Sequence, residues 1–585
     1  MGRKPPTPLA EALSYLAPAA PLVIGIWRAS FGSQWRDDQA LLAAVGQGPP
    51  AIQGALSALL ASIALELPVG GKWLRAALVS VVALSLCGFL IFSLTRYLAV
   101  RLGVSPLAAS AAGLGAAWLV TLGPSWQLEA TVGGGLTVAV SLCLLGVWLS
   151  REAEAAWVPF ALALVLGAAL AENWAAAAAL ATALAVRLSV RRAALPWSRQ
   201  TVALSAGLFG LIAVGLVLGQ LVRSGGHWSD LGVAFAGEAG RTRLPNQALA
   251  LVDENFTLLA LGIAALGTCA TLLASQTRAL ALALGVWCLL GWVFSQAGDD
   301  LLVDPFAPFA LLGLSAVGIF AGVGAASAST LARWRVPLAR QSVGLFVTTL
   351  FVLALLGFER SSHVAGRRDH VASEAWTDEA LSDLPPGSVL LLNNSELAWH
   401  LWAAREIGGQ RPDLIIAPLR ALERWSGSQD LVRSEPALGP VVRDLRLSRR
   451  PTEFALSSLA EERPLFVQFD ATWDPRLREH LVPHGFWVGF SPHALGRSDR
   501  EGAALASDQA FSRVVTLAEQ PGSRDAGTLR VLQEQLAEHA LMLFSLQDFH
   551  AASLFAEKLR LIAPKHPALE ALQAPKALAI ARAVD

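Results

Sequence analysis

Long apolar runs separated by short polar connections fill the first three-fifths of the chain and then stop. Runs of spanning length recur at about 13–30, 74–95, 105–123, 130–149, 157–171, 174–190, 201–222, 256–275, 279–295, 305–325 and 341–358. A helix needs about 20 apolar residues to cross a bilayer core of about 30 Å, so the pattern predicts about eleven transmembrane helices. The stretch 51–67 is also apolar, but Gln53, Glu66 and Pro68 interrupt or bound it. It predicts one or two helices lying on the membrane within the first loop.

After Phe358 the pattern becomes that of a soluble domain. Residues 359–384 are charged and helical in character. The runs 388–392 (SVLLL), 414–417 (LIIA) and 465–469 (LFVQF) read as strands, with an amphipathic helix over 395–407 and further helices between. That alternation predicts a small parallel or mixed sheet. In 529–572 the small residues Ala540, Ala551 and Ala556, with Pro564 after the second helix, fit one tetratricopeptide-like helix pair. A single such unit more often caps a core than forms a binding array. The expected fold is an α-helical polytopic membrane domain over 1–358, an α/β domain over 359–525 and a helical cap over 526–585.

Composition strengthens this picture. The 585 residues are 54% hydrophobic and 15% charged, with a mean hydropathy of +0.50, too apolar for a soluble chain of this length. Net charge is zero, so nothing calls for nucleic acid. Cys87, Cys143, Cys269 and Cys288 all lie in apolar runs, where they act as small hydrophobes and make neither a disulfide framework nor a zinc spacing. Arg3 and Lys4 precede the first run without a convincing cleavage site, which reads as an uncleaved first span.

The charges are sorted by side. With eleven spans, Arg96, Arg101, Arg187, Arg191, Arg192, Arg199, Arg278, Arg333, Arg335 and Arg340 all fall on the side of the N-terminus. The positive-inside rule makes that side cytoplasmic and the C-terminal domain extracytoplasmic, in an inner membrane. The opposite loops gather acids.

The first of these loops, 35–50 (WRDDQALLAAVGQGPP), opens with Asp37 and Asp38 beside Arg36 and Trp35. Adjacent carboxylates at the mouth of an apolar bundle need water, a cation or a substrate. The plainer reading is that Asp38 caps a short helix. Glu129 in PSWQLEATVGGG is a second candidate, against an ordinary interface residue. Asp300, with Asp299 and Asp304, is a third, against a solvated turn. The loop 224–255 adds His227, Arg241 and Arg243, which suit a lipid phosphate and suit loop solvation equally well.

The chain resembles the polytopic glycosyltransferases of the GT-C fold, and within them the bacterial family of unknown function allied to protein O-mannosyltransferases. Asp37-Asp38-Gln39-Ala40-Leu41 stands at that family's acidic first-loop motif, and Gly48-Pro49-Pro50-Ala51-Ile52-Gln53 at its double-proline motif. Trp126 to Glu129, Ala171-Glu172-Asn173-Trp174, Asp300 to Pro308, Pro385-Pro386-Gly387-Ser388-Val389, Gly409-Gln410-Arg411-Pro412-Asp413 and Arg463-Pro464 resemble later segments. The chain departs from the pattern at Gln39 or Ala40 for the motif glutamate, at Gly48 for a histidine, and after Glu129, where a tyrosine is missing.

The resemblance implies transfer of a sugar from a polyprenyl-phosphate donor to a protein or glycan acceptor on the outer face. Asp38, or failing it Asp37, would act as base with Glu129 alongside, and Arg36, His227, Arg241, Arg243 and Asp300 would bind substrate. No cofactor is called for with certainty, and a divalent metal is compatible with the acids. The competing class is a transporter or an envelope-assembly subunit that docks partners through the soluble domain. Carriers usually place ionisable residues or broken helices at mid-membrane, and these spans hold almost no charge.

Overall fold

A computed structural model describes residues 8–32, 35, 37–46, 54–134, 136–190, 197–223, 247–294, 306–331, 339–419, 422, 427–470, 473–520 and 524–572. Among the described residues the N-terminal part holds only helical elements: α1 (Pro8–Arg28), α2 (Asp37–Val45), α3 (Ala55–Leu65), α4 (Lys72–Arg101), α5 (Pro106–Thr121), α6 (Pro124–Ala130), α7 (Thr137–Leu149), α8 (Val158–Glu172), α9 (Trp174–Val190), α10 (Arg199–Arg223), α11 (Ala248–Asn255), α12 (Leu258–Leu273), α13 (Ser275–Phe294), α14 (Ala307–Leu331) and α15 (Ala339–Ala365). Each of the eleven apolar runs coincides with one of these helices. By length and composition six of them suffice to cross a membrane, or eight when the bent pairs α5–α6 and α11–α12 each count as one span. The expected in-plane stretch of the first loop is α3.

Helix α14 is the axis of the bundle: its apolar window is 94% buried, against 11% for that of α10. Small residues let neighbours approach it. A methyl on Gly267 of α12 would overlap the carbonyl of Phe320, and one on Gly324 would overlap the carbonyl of Ile263, so the two backbones touch.

Both breaks have local causes. Gly123 and Pro124 end α5 and start α6, with proline in the first turn where no N–H is needed, and the axis turns by 69°. Phe256 is extended between α11 and α12, and Thr257 caps the latter by accepting from Ala260 N–H at 3.3 Å. One side chain serves both breaks. Asn255 Oδ1 accepts from Ser125 N–H at 3.2 Å, while its amide donates to Ser125 Oγ at 2.8 Å and to the Leu251 carbonyl at 2.9 Å.

The soluble part contains α16 (Ala372–Ser382), β1 (Val389–Leu392), α17 (Ser395–Glu406), β2 (Ile415–Pro418), α18 (Gly427–Ser434), α19 (Gly439–Ser448), α20 (Glu453–Glu462), β3 (Leu465–Val467), α21 (Pro475–Arg478), β4 (Leu481–His484), β5 (Trp487–Phe490), α22 (Arg497–Ala518), α23 (Ala526–Ser545) and α24 (Phe549–Ile562). The sheet order is β2-β1-β3-β5-β4. β1 runs parallel to β2 and β3, and the β4–β5 hairpin adds an antiparallel edge. This hairpin was not among the expected strands. Helices α23 and α24 share one hydrophobic core with the sheet. That core also takes in Trp35, Leu41 and Leu42 from the first loop.

Candidate functional site at the junction of bundle and soluble domain

The first loop lies where the bundle meets the soluble domain, and several elements hold it there. Lys72, at the start of α4, donates to the Ile407 carbonyl just after α17 at 2.9 Å. Arg28, at the end of α1, is buried and donates to Gln127 Oε1 of α6 at 3.2 Å, to Ser361 Oγ of α15 at 2.6 Å and to the Phe358 carbonyl at 3.0 Å. Gln220 of α10 donates to the Ala43 carbonyl of α2 at 3.1 Å. Arg101 and Arg187 sit at or near the far ends of their helices, away from this junction.

Each described acid has a distinct environment. Glu172 anchors α3: its carboxylate accepts from the Ser57 hydroxyl and from Ser57 N–H, the latter at 2.9 Å. A carboxylate at a helix N-terminus meets unpaired N–H groups and the positive end of the helix dipole. Glu129 is fully buried in α6 and accepts from Leu136 N–H at 3.2 Å, at the start of α7. Asp38, in the first turn of α2, is 1% exposed. Its Oδ2 lies 2.7 Å from Nδ1 of His400 on α17, and its Oδ1 has no hydrogen-bond partner among the described residues. On the far side of the imidazole, Nε2 lies 2.7 Å from Thr377 Oγ1 of α16. Trp35 stacks on His400 with ring centroids 3.9 Å apart and donates its indole N–H to Thr528 Oγ1 of α23 at 2.8 Å. A methyl on Gly527 would lie 3.1 Å from the Trp35 ring, so the indole rests on bare backbone.

Asp37 is the first residue of α2, next to Asp38, and its side chain lies outside the described residues. Arg36, His227, Arg241, Arg243 and Asp300 also lie outside them, as does the double-proline motif. The structure thus brings Asp38, Glu129 and Glu172 to one end of the bundle. It adds His400 and Thr377, which sequence reasoning missed. The signal was a histidine on the apolar face of an amphipathic helix, in register with the buried Leu397, Leu401 and Ala404. The Arg-Pro-Asp segment has a structural task. Arg411 donates to the carbonyls of Leu381, Leu384 and Pro385. Its guanidinium, together with Gly387 N–H, holds the Asp413 carboxyl well below the usual carboxylate range. Among the described residues no group of three His, Cys, Asp or Glu side chains is placed to hold a metal ion.

A cavity of about 200 Å³ opens beside α6, lined by Pro124, Ser125, Leu128, Glu254, Arg360 and Val364. It is mainly apolar. Arg360, which donates to the Asp253 carbonyl at 3.2 Å, supplies a cation.

No family model matches the chain, and no curated protein matches it. Among solved structures it is similar to ArnT from Cupriavidus metallidurans in the apo state, at 16% identity and a TM-score of 0.47 over 71% of this chain and 90% of that one. The same protein bound to undecaprenyl phosphate matches at 14% identity and a TM-score of 0.48, over 70% and 90%. The Archaeoglobus fulgidus oligosaccharyltransferase tethered with an acceptor peptide matches at 12% identity and a TM-score of 0.41, over 79% and 69%. Likenesses of this degree carry no assignment of activity, and the reading below rests on the chain's own residues.

Proposed function

We propose that this chain is a GT-C-type membrane glycosyltransferase that moves a sugar from a polyprenyl-phosphate donor to a protein or glycan acceptor on the extracytoplasmic face. The observation that carries the reading is the placement of α2. A helix that begins with two aspartates lies between the end of an apolar bundle and a soluble domain, where a lipid head group and a soluble acceptor would meet.

In this reading Asp37 is the base. It takes the acceptor hydroxyl proton as the acceptor oxygen bonds to the anomeric carbon. The bond from that carbon to the phosphate oxygen breaks, and polyprenyl phosphate leaves as an anion that needs no proton. Asp38 is unsuited to this role, because a base must reach the proton it removes and Asp38 is enclosed against His400. Glu129 fixes the start of α7 beneath the site. The cavity beside α6 suits the first isoprene units, with Arg360 near the phosphate. The eleven-span topology with a cytoplasmic N-terminus, the alliance with O-mannosyltransferases and the tetratricopeptide-like character of the terminal helix pair belong to the same proposal.

The test uses full-length protein in nanodiscs, with radiolabelled undecaprenyl-phosphate mannose and glucose as donors and envelope protein and glycan fractions as acceptors. Label should move to one acceptor fraction, and Asp37→Asn should reduce transfer by about two orders of magnitude or more, the scale of a lost general base. Undiminished transfer by the folded variant would overturn the assignment of Asp37. No transfer by the wild type would overturn the reading for these donors.

A further inference from the structure

Asp38 is buried against the soluble domain, and its partner lies 362 residues away in the chain. Three contacts run in series from it: Asp38 Oδ2 to His400 Nδ1 at 2.7 Å, His400 Nε2 to Thr377 Oγ1 at 2.7 Å, and Thr377 Oγ1 to the Ser373 carbonyl at 2.7 Å. Each needs one hydrogen. Threonine donates to the Ser373 carbonyl, so the imidazole faces a hydroxyl oxygen on one side and a carboxylate on the other. Apolar residues of similar volume would stabilise such a contact as well or better. What a buried, hydrogen-bonded pair adds is a single register, because a shifted α2 would leave both groups desolvated and unpaired.

We infer that His400 is a positioning residue: from the soluble domain it fixes the first turn of α2, and so the placement of Asp37, which makes the soluble domain part of the reaction site. This rests on the glycosyltransferase reading for its kinetic consequence but not for its structural one. The imidazole reaches Asp38 through Nδ1 and Thr377 through Nε2, with Trp35 closing one face and the Trp376 ring standing 5.9 Å away at 61°. Trp35 continues the clamp to α23 through Thr528. The first loop is therefore gripped by α16, α17 and α23 together.

The two imidazole nitrogens separate the proposal from mere packing. Asparagine places an amide donor near the Nδ1 position and keeps the contact to Asp38. Glutamine reaches the Nε2 position and keeps only the contact to Thr377. Hydrogen exchange is read on full-length protein in nanodiscs, together with turnover of undecaprenyl-phosphate mannose and glucose. In His400→Ala, amides of α2 should exchange at least 10-fold faster while β1 and β3 keep their protection. His400→Asn should restore α2 and His400→Gln should not. Where a donor turns over, kcat should fall about 10–100-fold in the Ala and Gln variants with KM for donor unchanged. Unaltered α2 exchange in His400→Ala would overturn the inference. If that variant unfolds the whole domain, the Asn and Gln variants decide: equal exchange of α2 in both would overturn it. A wild type that turns over neither donor counts against the glycosyltransferase reading alone, since the exchange comparison still decides the positioning role.

Discussion

Where α12 crosses α14, the contact consists of glycine against carbonyl, with no side chain between the two backbones. Where α2 meets α17, an aspartate, a histidine, a threonine and two tryptophans fill the same kind of gap. Both are buried helix contacts in one chain. Lipid tails are as apolar as leucine, so within the bundle close approach and dispersion supply what burial alone does not. At the junction, water competes for every polar group, and association comes from removing large apolar faces from it. The junction can therefore afford a polar pair that would be costly deeper in the bundle, and it obtains a defined register from it.

The largest expected effect tests the bundle side. Gly267→Leu or Gly324→Leu forces the two backbones apart, beyond the usual ~1–3 kcal/mol of an overpacked side chain. Folded, monodisperse protein should fail to accumulate in detergent. Gly262→Leu on the same helix as Gly267, where an added Cβ meets nothing within 4 Å, should be neutral. A normal yield from the first two variants would remove the bundle half of the comparison.

Trp35→Ala tests the other half. It empties a buried indole site and removes the donor to Thr528 Oγ1, and should cost about 3–5 kcal/mol in denaturant unfolding of the soluble part. Protection of α12 and α14 in hydrogen exchange should stay unchanged. An equal loss in both regions would mean that they are one cooperative unit.

A smaller effect is read with pH in the soluble core. Burial pushes the Glu538 carboxyl up to about 8 and the His539 imidazole down to about 4. The carboxyl, protonated when folded and ionised when unfolded, makes stability fall as pH rises from about 4.5 to about 8. The imidazole, neutral when folded and charged when unfolded, makes it rise from about 4 to about 6.5. The two slopes oppose each other up to about pH 6.5, and above it only the carboxyl remains. Stability of the full-length protein should then drop by about 1 kcal/mol between pH 6.5 and 8. Glu538→Gln should flatten that decline, and an unchanged slope in this variant would refute the assignment.

The smallest effect concerns α3. Ser57→Ala removes the hydroxyl bonded to Glu172 and should cost about 1–2 kcal/mol, seen as faster amide exchange confined to 55–65.

Run length made the helices legible, because an apolar stretch of 15–25 residues admits little else. The hairpin β4–β5 was not legible. Pro483, Gly485 and Gly489 break the alternation in LVPHGFWVGF, and Gly485 is needed at positive φ in the two-residue turn. In the site, the aspartate pair stood out because charge is scarce near the spans. Its division into one enclosed and one neighbouring acid did not, since it depends on a histidine 362 residues away. Glu172 stood out only as part of a motif segment and proved to hold the first turn of α3, a role visible only once α3 was placed beside it. The cations expected to hold the phosphate lie outside the described residues, and Arg360, unremarked in the sequence, stands at the cavity instead.

The bond between Trp35 and Thr528 spans 493 residues. On a ribosome adding about 5–20 residues per second, the indole emerges roughly half a minute to a minute and a half before its partner exists. Throughout that interval the nascent loop has no core to join, while the helices threaded behind it already have neighbours. The mouth of the protein is therefore among the last parts to set, and a chain that stops short of α23 would keep His400 beside Asp38 but leave the Trp35 end of the clamp without its anchor.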